Sequence, residues 1–159
     1  MKNIIEEFYD AFSNLDAESM VKYYHPDVVF QDPAFGELKG ARAKNMWRML
    51  CHSQKGKGFK VKYNVIDFNT NKSNAEWEAF YTFSQTGRKV HNKISASFVI
   101  ENGLIVEHID KFNLYSWSKQ AMGIKGFLLG NTSFFRNKLQ QKTNSLLNKF
   151  EEKQAQLKK

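Results

Sequence analysis

Apolar positions at Ile4, Ile5, Phe8, Phe12 and Leu15 recur at helical spacing and predict an amphipathic helix over residues 3–14. Asp16-Ala17-Glu18-Ser19 opens a second, short helix with an acidic first turn, carrying Met20, Val21 and Tyr24. The pattern then alternates. Val28, Phe30 and Asp32 share one face of a short strand over 28–32, and Pro33 biases Asp32 away from helical angles and ends it. Gly36 and Gly40 mark turns, and a third helix over 41–52 buries Met46, Trp47 and Leu50 with Cys51 beside them. After the basic loop Lys55-Gly56-Lys57-Gly58 come four strand-like runs, at about 60–69, 74–84, 89–100 and 104–115. Asn71–Asn74, Thr86-Gly87 and Asn102-Gly103 separate them, and Asn-Gly between alternating runs is a strong hairpin signal. Helices followed by an antiparallel meander predict an α+β fold with helices packed on one sheet face.

Beyond Tyr115 the pattern changes. Residues 117–122 read as a helical turn, Gly123, Gly126 and Gly130 punctuate an apolar stretch, and a long basic helix runs from 133 to about 156. Its stripe, Phe135, Leu139, Leu146, Phe150 and Leu157, is narrow. The chain divides on this reading into a body, 1–117, and a C-terminal helical extension, 118–159.

Composition adds three points. Fourteen Phe, six Tyr and three Trp indicate a core or cavity built largely from rings. The single cysteine, Cys51, forms no internal disulfide and reads as a half-buried helix thiol. With no signal-peptide h-region at the N-terminus, the expected location is cytoplasmic. The net charge is +8, but residues 136–159 hold seven Lys/Arg and two Glu, so the body carries only +3. That leaves no case for nucleic-acid binding.

Candidate chemistry follows from the apolar faces. A carboxylate aimed at an apolar interior must be paired, hydrated in a cavity or protonated, and Asp32 is in that position. His108 and Asp110 share a strand face with Val106 and Phe112, while Glu107 and Lys111 lie on the other. Two readings stand: a polar cluster lining a cavity, or a His–Asp pair that only ties strands together. Trp77 and Phe30 are the expected walls. With a two-residue Asn102-Gly103 turn, Ser95 falls opposite Asp110, and His91 and Ser95 join its face, leaving Ile94, Ala96, Phe98 and Ile100 on the other; a bulge shifts this register. No spaced Cys/His metal set, phosphate loop or nucleophile elbow is present, so no metal or organic cofactor is expected.

The helix, acidic turn, helix and F-x-D-P…G run ending at Phe30-Gln31-Asp32-Pro33 and Gly36 resembles the nuclear transport factor 2-like superfamily, over roughly residues 3–117. Its members include ketosteroid isomerases, SnoaL-type polyketide cyclases, scytalone dehydratase and limonene epoxide hydrolase. The resemblance implies a strongly curved sheet forming a cone, with the N-terminal helices on its concave face and a pocket between them. In ketosteroid isomerases the Asp of the D-P turn is the general base, and Asp32 matches it. The oxyanion-hole tyrosine and second aspartate of those enzymes fall on Phe8 and Ser95, so that hole does not carry over. Asp110 matches one member of the Asp–Arg–Asp site of limonene epoxide hydrolase, whose other two positions fall on Trp77 and Ala79. One superfold hosts many chemistries.

The expectation is a small, mostly apolar molecule bound in the cone, with Asp32, His108 and Asp110 as candidate acid–base residues and Phe30, Trp77, His91 and Ser95 as ligand contacts. Isomerase, dehydratase or cyclase chemistry is open. The competing class is a non-catalytic interaction module with a packed cone. The second apolar face of the 89–100 strand, together with the family habit, implies a homodimer through the convex face. The basic helix reads as docked on protein, as a membrane-surface helix, or as a partner clamp.

Overall fold

A computed structural model describes residues 1–159. Asn3 caps α1 (Ile4–Ser13) in a reciprocal capping box with Glu6, and the helix buries Ile5, Phe8, Tyr9 and Phe12. Asp16 caps α2 (Ala17–Val21) through the Ser19 N–H. β1 (Tyr24–Asp32) and β2 (Gly36–Lys39) form a hairpin whose register brings Asp32 opposite Gly36. α3 (Ala41–Gln54) follows, then the meander β3 (Lys60–Phe68), β4 (Lys72–Phe83), β5 (Arg88–Glu101) and β6 (Leu104–Lys111). α4 (Leu114–Met122), α5 (Ile124–Leu129) and α6 (Ser133–Leu157) complete the chain.

The six strands form one curved, open sheet in the order β2-β1-β6-β5-β4-β3. All neighbours are antiparallel except β1 and β6, which run parallel. This is the α+β cone expected from the pattern, with α1 and α3 against the concave face. The differences have local causes. β1 starts at Tyr24 rather than Val28, because its pairing with β6 breaks between Tyr24 and Val29 and so accommodates Pro26, which has no N–H to donate. β2 lies where only turns were expected. Gly40 starts α3 at φ +54, and a Cβ there would lie 2.9 Å from the Pro26 carbonyl, so both position and backbone angle require glycine. The last strand stops at Lys111, where Asn113 caps α4 through the Ser116 N–H. No helix is long and apolar enough to cross a membrane.

One bulge decides which residues face inward. Asn102-Gly103 does make a two-residue turn, with Glu101 opposite Leu104, but the register slips between Val99 and Ile100. Phe98 therefore pairs with His108 and Ala96 with Asp110. Ile94, Ala96, Phe98 and Ile100 lie on the inner face and join the core. His91 and Ser95 stand exposed on the outer face, which corrects their assignment as ligand contacts. His91 bonds Glu78 there and stacks on Phe80, 4.1 Å between centroids. The convex face is thus largely polar, and the premise for a dimer through an apolar patch on it falls away.

The long helix docks on its own chain. Leu147 is fully buried and Phe135 nearly so, while Leu146 and Leu157 stay largely exposed. The buried seam runs by fours from Phe135 through Leu139 and Thr143 to Leu147, rather than through Leu146. Polar residues fix it: Thr143 Oγ1 donates to the Ala34 carbonyl (2.8 Å) and Asn144 Nδ2 to that of Phe35 (2.9 Å). Arg42 of α3 bonds Glu151 at 2.7 Å and Asn144 at 2.9 Å. Leu147→Ala should cost about 2–5 kcal/mol, read as a lower thermal midpoint; an unchanged midpoint would mean that the helix is not docked in solution.

Candidate functional site

Between the sheet, α3, α4 and α6 lies a cavity of about 610 Å³. Its walls are mostly apolar and include Phe30, Phe35, Met46, Phe112 and all three tryptophans, Trp47, Trp77 and Trp117. Phe135, Leu139, Leu146 and Phe150 of α6 close one side. Two carboxylates, Asp32 and Asp110, open onto it.

Asp32 ends β1 in a turn that its own side chain holds. Oδ1 accepts the N–H of Ala34 (2.9 Å) and of Phe35 (2.6 Å), while Oδ2 has no protein partner. The part of Asp32 that remains accessible belongs to the cavity wall. Burial among rings raises its carboxyl from 3.8 to about 7, and the charge of Asp110 adds to the rise; the two backbone N–H groups pull the other way without cancelling it.

Asp110 belongs to a buried chain of hydrogen bonds. His108, with no exposed surface, reaches Asp110 Oδ1 through Nε2 at 3.0 Å and the Tyr24 hydroxyl through Nδ1 at 2.6 Å. Trp47 Nε1 donates to the Tyr24 hydroxyl (2.8 Å), and Trp77 Nε1 to Asp110 Oδ1 (3.2 Å). With Trp47 donating to its oxygen, the Tyr24 hydroxyl can give its own proton to His108 Nδ1 while His108 Nε2–H donates to Asp110 Oδ1, an arrangement in which every contact has one donor and one acceptor. His108 does not line the cavity. It stands behind Asp110 and orients it, with Phe98 4.2 Å and Phe30 5.2 Å away, centroid to centroid.

A third polar feature was not anticipated. Trp117 Nε1 donates to the Tyr81 hydroxyl at 2.7 Å, and both side chains line the cavity. Tyr81 is left with a proton and no protein acceptor. Burial raises its pKa, the hydrogen bond from Trp117 offsets part of the rise and the Asp32 charge adds to it, so the group remains a donor. The sequence signal was present, since Tyr81 and Trp77 lie an even number of residues apart on one strand, but Tyr81 pairs with a helix outside the cone pattern. Helix α1 contributes no hydroxyl to the cavity. Phe8 and Tyr9 are both fully buried in the core, and the Tyr9 hydroxyl has no partner. Cys51 is buried and its thiol is pushed up to about 12 by burial, consistent with a packing role.

Of the expected site residues, the fold brings Asp32, Asp110, Phe30 and Trp77 to one cavity, sets His108 directly behind it, and turns His91 and Ser95 away. Residues 5–108 match the SnoaL-like domain family model. The chain belongs to the SnoaL-like family. The fold is shared with solved structures of low identity. A nuclear transport factor 2-like protein of unknown function from Burkholderia pseudomallei is 18% identical over 77% of this chain and 99% of that one, with a TM-score of 0.63. TerC, co-crystallised with polyporic acid, is 17% identical over 74% and 94%, TM-score 0.61. An epoxide hydrolase of the limonene type from Mycobacterium tuberculosis is 21% identical over 80% and 88%, TM-score 0.55. At such identities the likeness establishes the fold alone. No curated protein matches the chain.

The raised Asp32 carboxyl has a consequence for stability. Between 3.8 and about 7 the folded chain holds a proton that the unfolded chain has lost, so this group's contribution to stability declines as pH rises through that window and is gone above it. The full span is on the order of 4 kcal/mol. Asp32→Asn keeps the turn but not the titration. Its stability, measured by denaturant unfolding from pH 4 to 8, should lack this decline relative to the unmodified chain; parallel curves would mean that Asp32 titrates normally.

Proposed function

We propose that this SnoaL-like protein binds a small, mostly apolar molecule in the cone and moves a proton on it. The observation that carries the reading is a pair of carboxylates on one ring-lined cavity, one with its pKa brought to about 7. A group at that value is half ionised near neutral pH and serves equally to take and to return a proton. Asp32, with its free Oδ2, is the acid–base group. Tyr81 is the hydrogen-bond donor for a ligand oxygen, and Asp110, held by Trp77 and His108, is a second polar contact. The chemistry fits proton removal next to a carbonyl: the C–H bond breaks, Asp32 takes the proton, and the electron pair moves onto an oxygen that Tyr81 stabilises. Return of the proton at another carbon gives an isomerisation, and loss of a hydroxyl gives a dehydration.

The open cavity supports this over the non-catalytic module, for which the same rings would fill the cone. TerC, which shares the fold, has been co-crystallised with the small molecule polyporic acid. All three tryptophans line the cavity, so occupancy is readable as quenching of intrinsic fluorescence. The test is to titrate the full chain with a panel of apolar aromatic ketones and quinones. For those that bind, hydrogen–deuterium exchange next to the carbonyl is then followed by NMR. Asp32→Asn should retain binding and slow exchange by about 10²–10⁴-fold, and exchange by the unmodified protein should rise with pH through about 7. A panel without a single binder, or exchange indifferent to Asp32, would overturn the reading.

A further inference from the structure

Helix α5 is built inside out. A short helix packed on a domain normally turns its large apolar side chains inward. In Ile124–Leu129 the inward face is glycine: Gly126 and the following Gly130 are buried against Ser118 of α4. A Cβ at Gly126 would meet the Ser118 carbonyl oxygen at 1.9 Å, and one at Gly130 would meet Ser118 Oγ at 1.9 Å. Ser118 Oγ is 3.2 Å from the Gly126 carbonyl. This close backbone contact sends every large side chain of α5 outward. Ile124, Phe127, Leu128 and Leu129 are 79%, 61%, 68% and 48% exposed, and Phe134 at the start of α6 is 63% exposed. Five of the chain's ten exposed large apolar side chains fall within these eleven residues, so the apolar surface is concentrated rather than scattered.

The charge along this segment has one sign. From Lys111 to Phe150 the sequence contains no Asp or Glu, and it contains Lys119, Lys125, Arg136 and Lys138 beside the patch. The cations sit among rings: Lys119 Nζ lies 4.5 Å from the Tyr115 centroid and Lys138 Nζ 5.7 Å from that of Phe134. Tyr115 in turn donates to the Phe127 carbonyl at 3.2 Å. An acidic protein partner would answer the cations but not five protruding apolar chains, and a second copy would bring like charge to like. A surface with anionic headgroups above hydrocarbon answers both.

We propose that α5 and the first turn of α6 form a docking surface for an anionic lipid bilayer, with Phe127, Leu128 and Phe134 inserted at the headgroup boundary and Lys119 and Lys125 against the lipid phosphates. The same α4–α6 segment lines the cavity at Trp117, Met122 and Phe135, so the docked face adjoins the site described above.

The test uses the full chain and sedimentation with vesicles of phosphatidylcholine alone or mixed equally with phosphatidylglycerol. The protein should sediment with the anionic vesicles, less so at high salt, and not with the neutral ones. The substitution pair Phe127→Ser/Leu128→Ser should abolish sedimentation. Lys119→Glu/Lys125→Glu should weaken it about 25-fold or more, since each such charge is worth about fivefold in partitioning. All four side chains are exposed, so thermal midpoints should hold; if the serine pair fails to fold, Phe134→Ser replaces it, with a loss of sedimentation expected. Absence of sedimentation with anionic vesicles, or sedimentation unaltered by these substitutions, overturns the proposal. A concentration-dependent dimer that the serine pair dissolves, with vesicles unbound, assigns the patch to a second copy instead and also overturns it.

Discussion

The interior of this cone is organised around the cost of keeping Asp110 and His108 away from water. A buried carboxylate and a buried imidazole each demand partners, and the fold supplies them from four elements: Trp47 from α3, Tyr24 from β1, His108 and Asp110 from β6, and Trp77 from β4. The chain of bonds therefore crosses the helix layer, the parallel β1–β6 junction and the meander. It fixes the angle between them more narrowly than ring packing alone, because hydrogen bonds are directional where dispersion is not. The aromatic cage around His108, with Phe8, Phe30, Trp47 and Phe98 in contact, depends on the same register. Asp110 faces the cavity with its orientation already set, and this network is why.

Asp32 is handled differently. It has no side-chain partner, and only its turn holds it. Two carboxylates share a cavity, one held by two side-chain donors on a single oxygen and one held only by backbone N–H groups. The Tyr81–Trp117 pair supplies a donor to the same cavity, with Trp117 contributed by α4.

Much of this was legible in the residues. The helical spacing of Ile5, Phe8 and Phe12, the Asp32-Pro33 turn and the Asn102-Gly103 hairpin each depend on local chemistry, and each stands where the pattern put it. His108 and Asp110 were correctly joined because they are two apart on one strand. His91 and Ser95 were not, because the bulge opposite Val99 is a one-residue event that reverses every assignment on β5. No local residue type announces it. The stripe of α6 was legible in part: Phe135, Leu139, Leu146 and Phe150 do face the cavity, but the fully buried Leu147 was not among them. Thr143 and Asn144 read as surface residues, but their value lies in carbonyl groups at Ala34 and Phe35 that are distant in sequence. Tyr81 was missed for the same reason, since its partner comes from α4.

The attachment of α6 has a further consequence. Its Thr143 and Asn144 grip the carbonyls of Ala34 and Phe35, the two residues whose N–H groups hold Asp32. The lid of the cavity and the acid inside it are thus fastened to one three-residue turn. The two sets of contacts act on the same two residues, one through their carbonyls and the other through their N–H groups, so the seat of the helix and the seat of the acid share one piece of backbone.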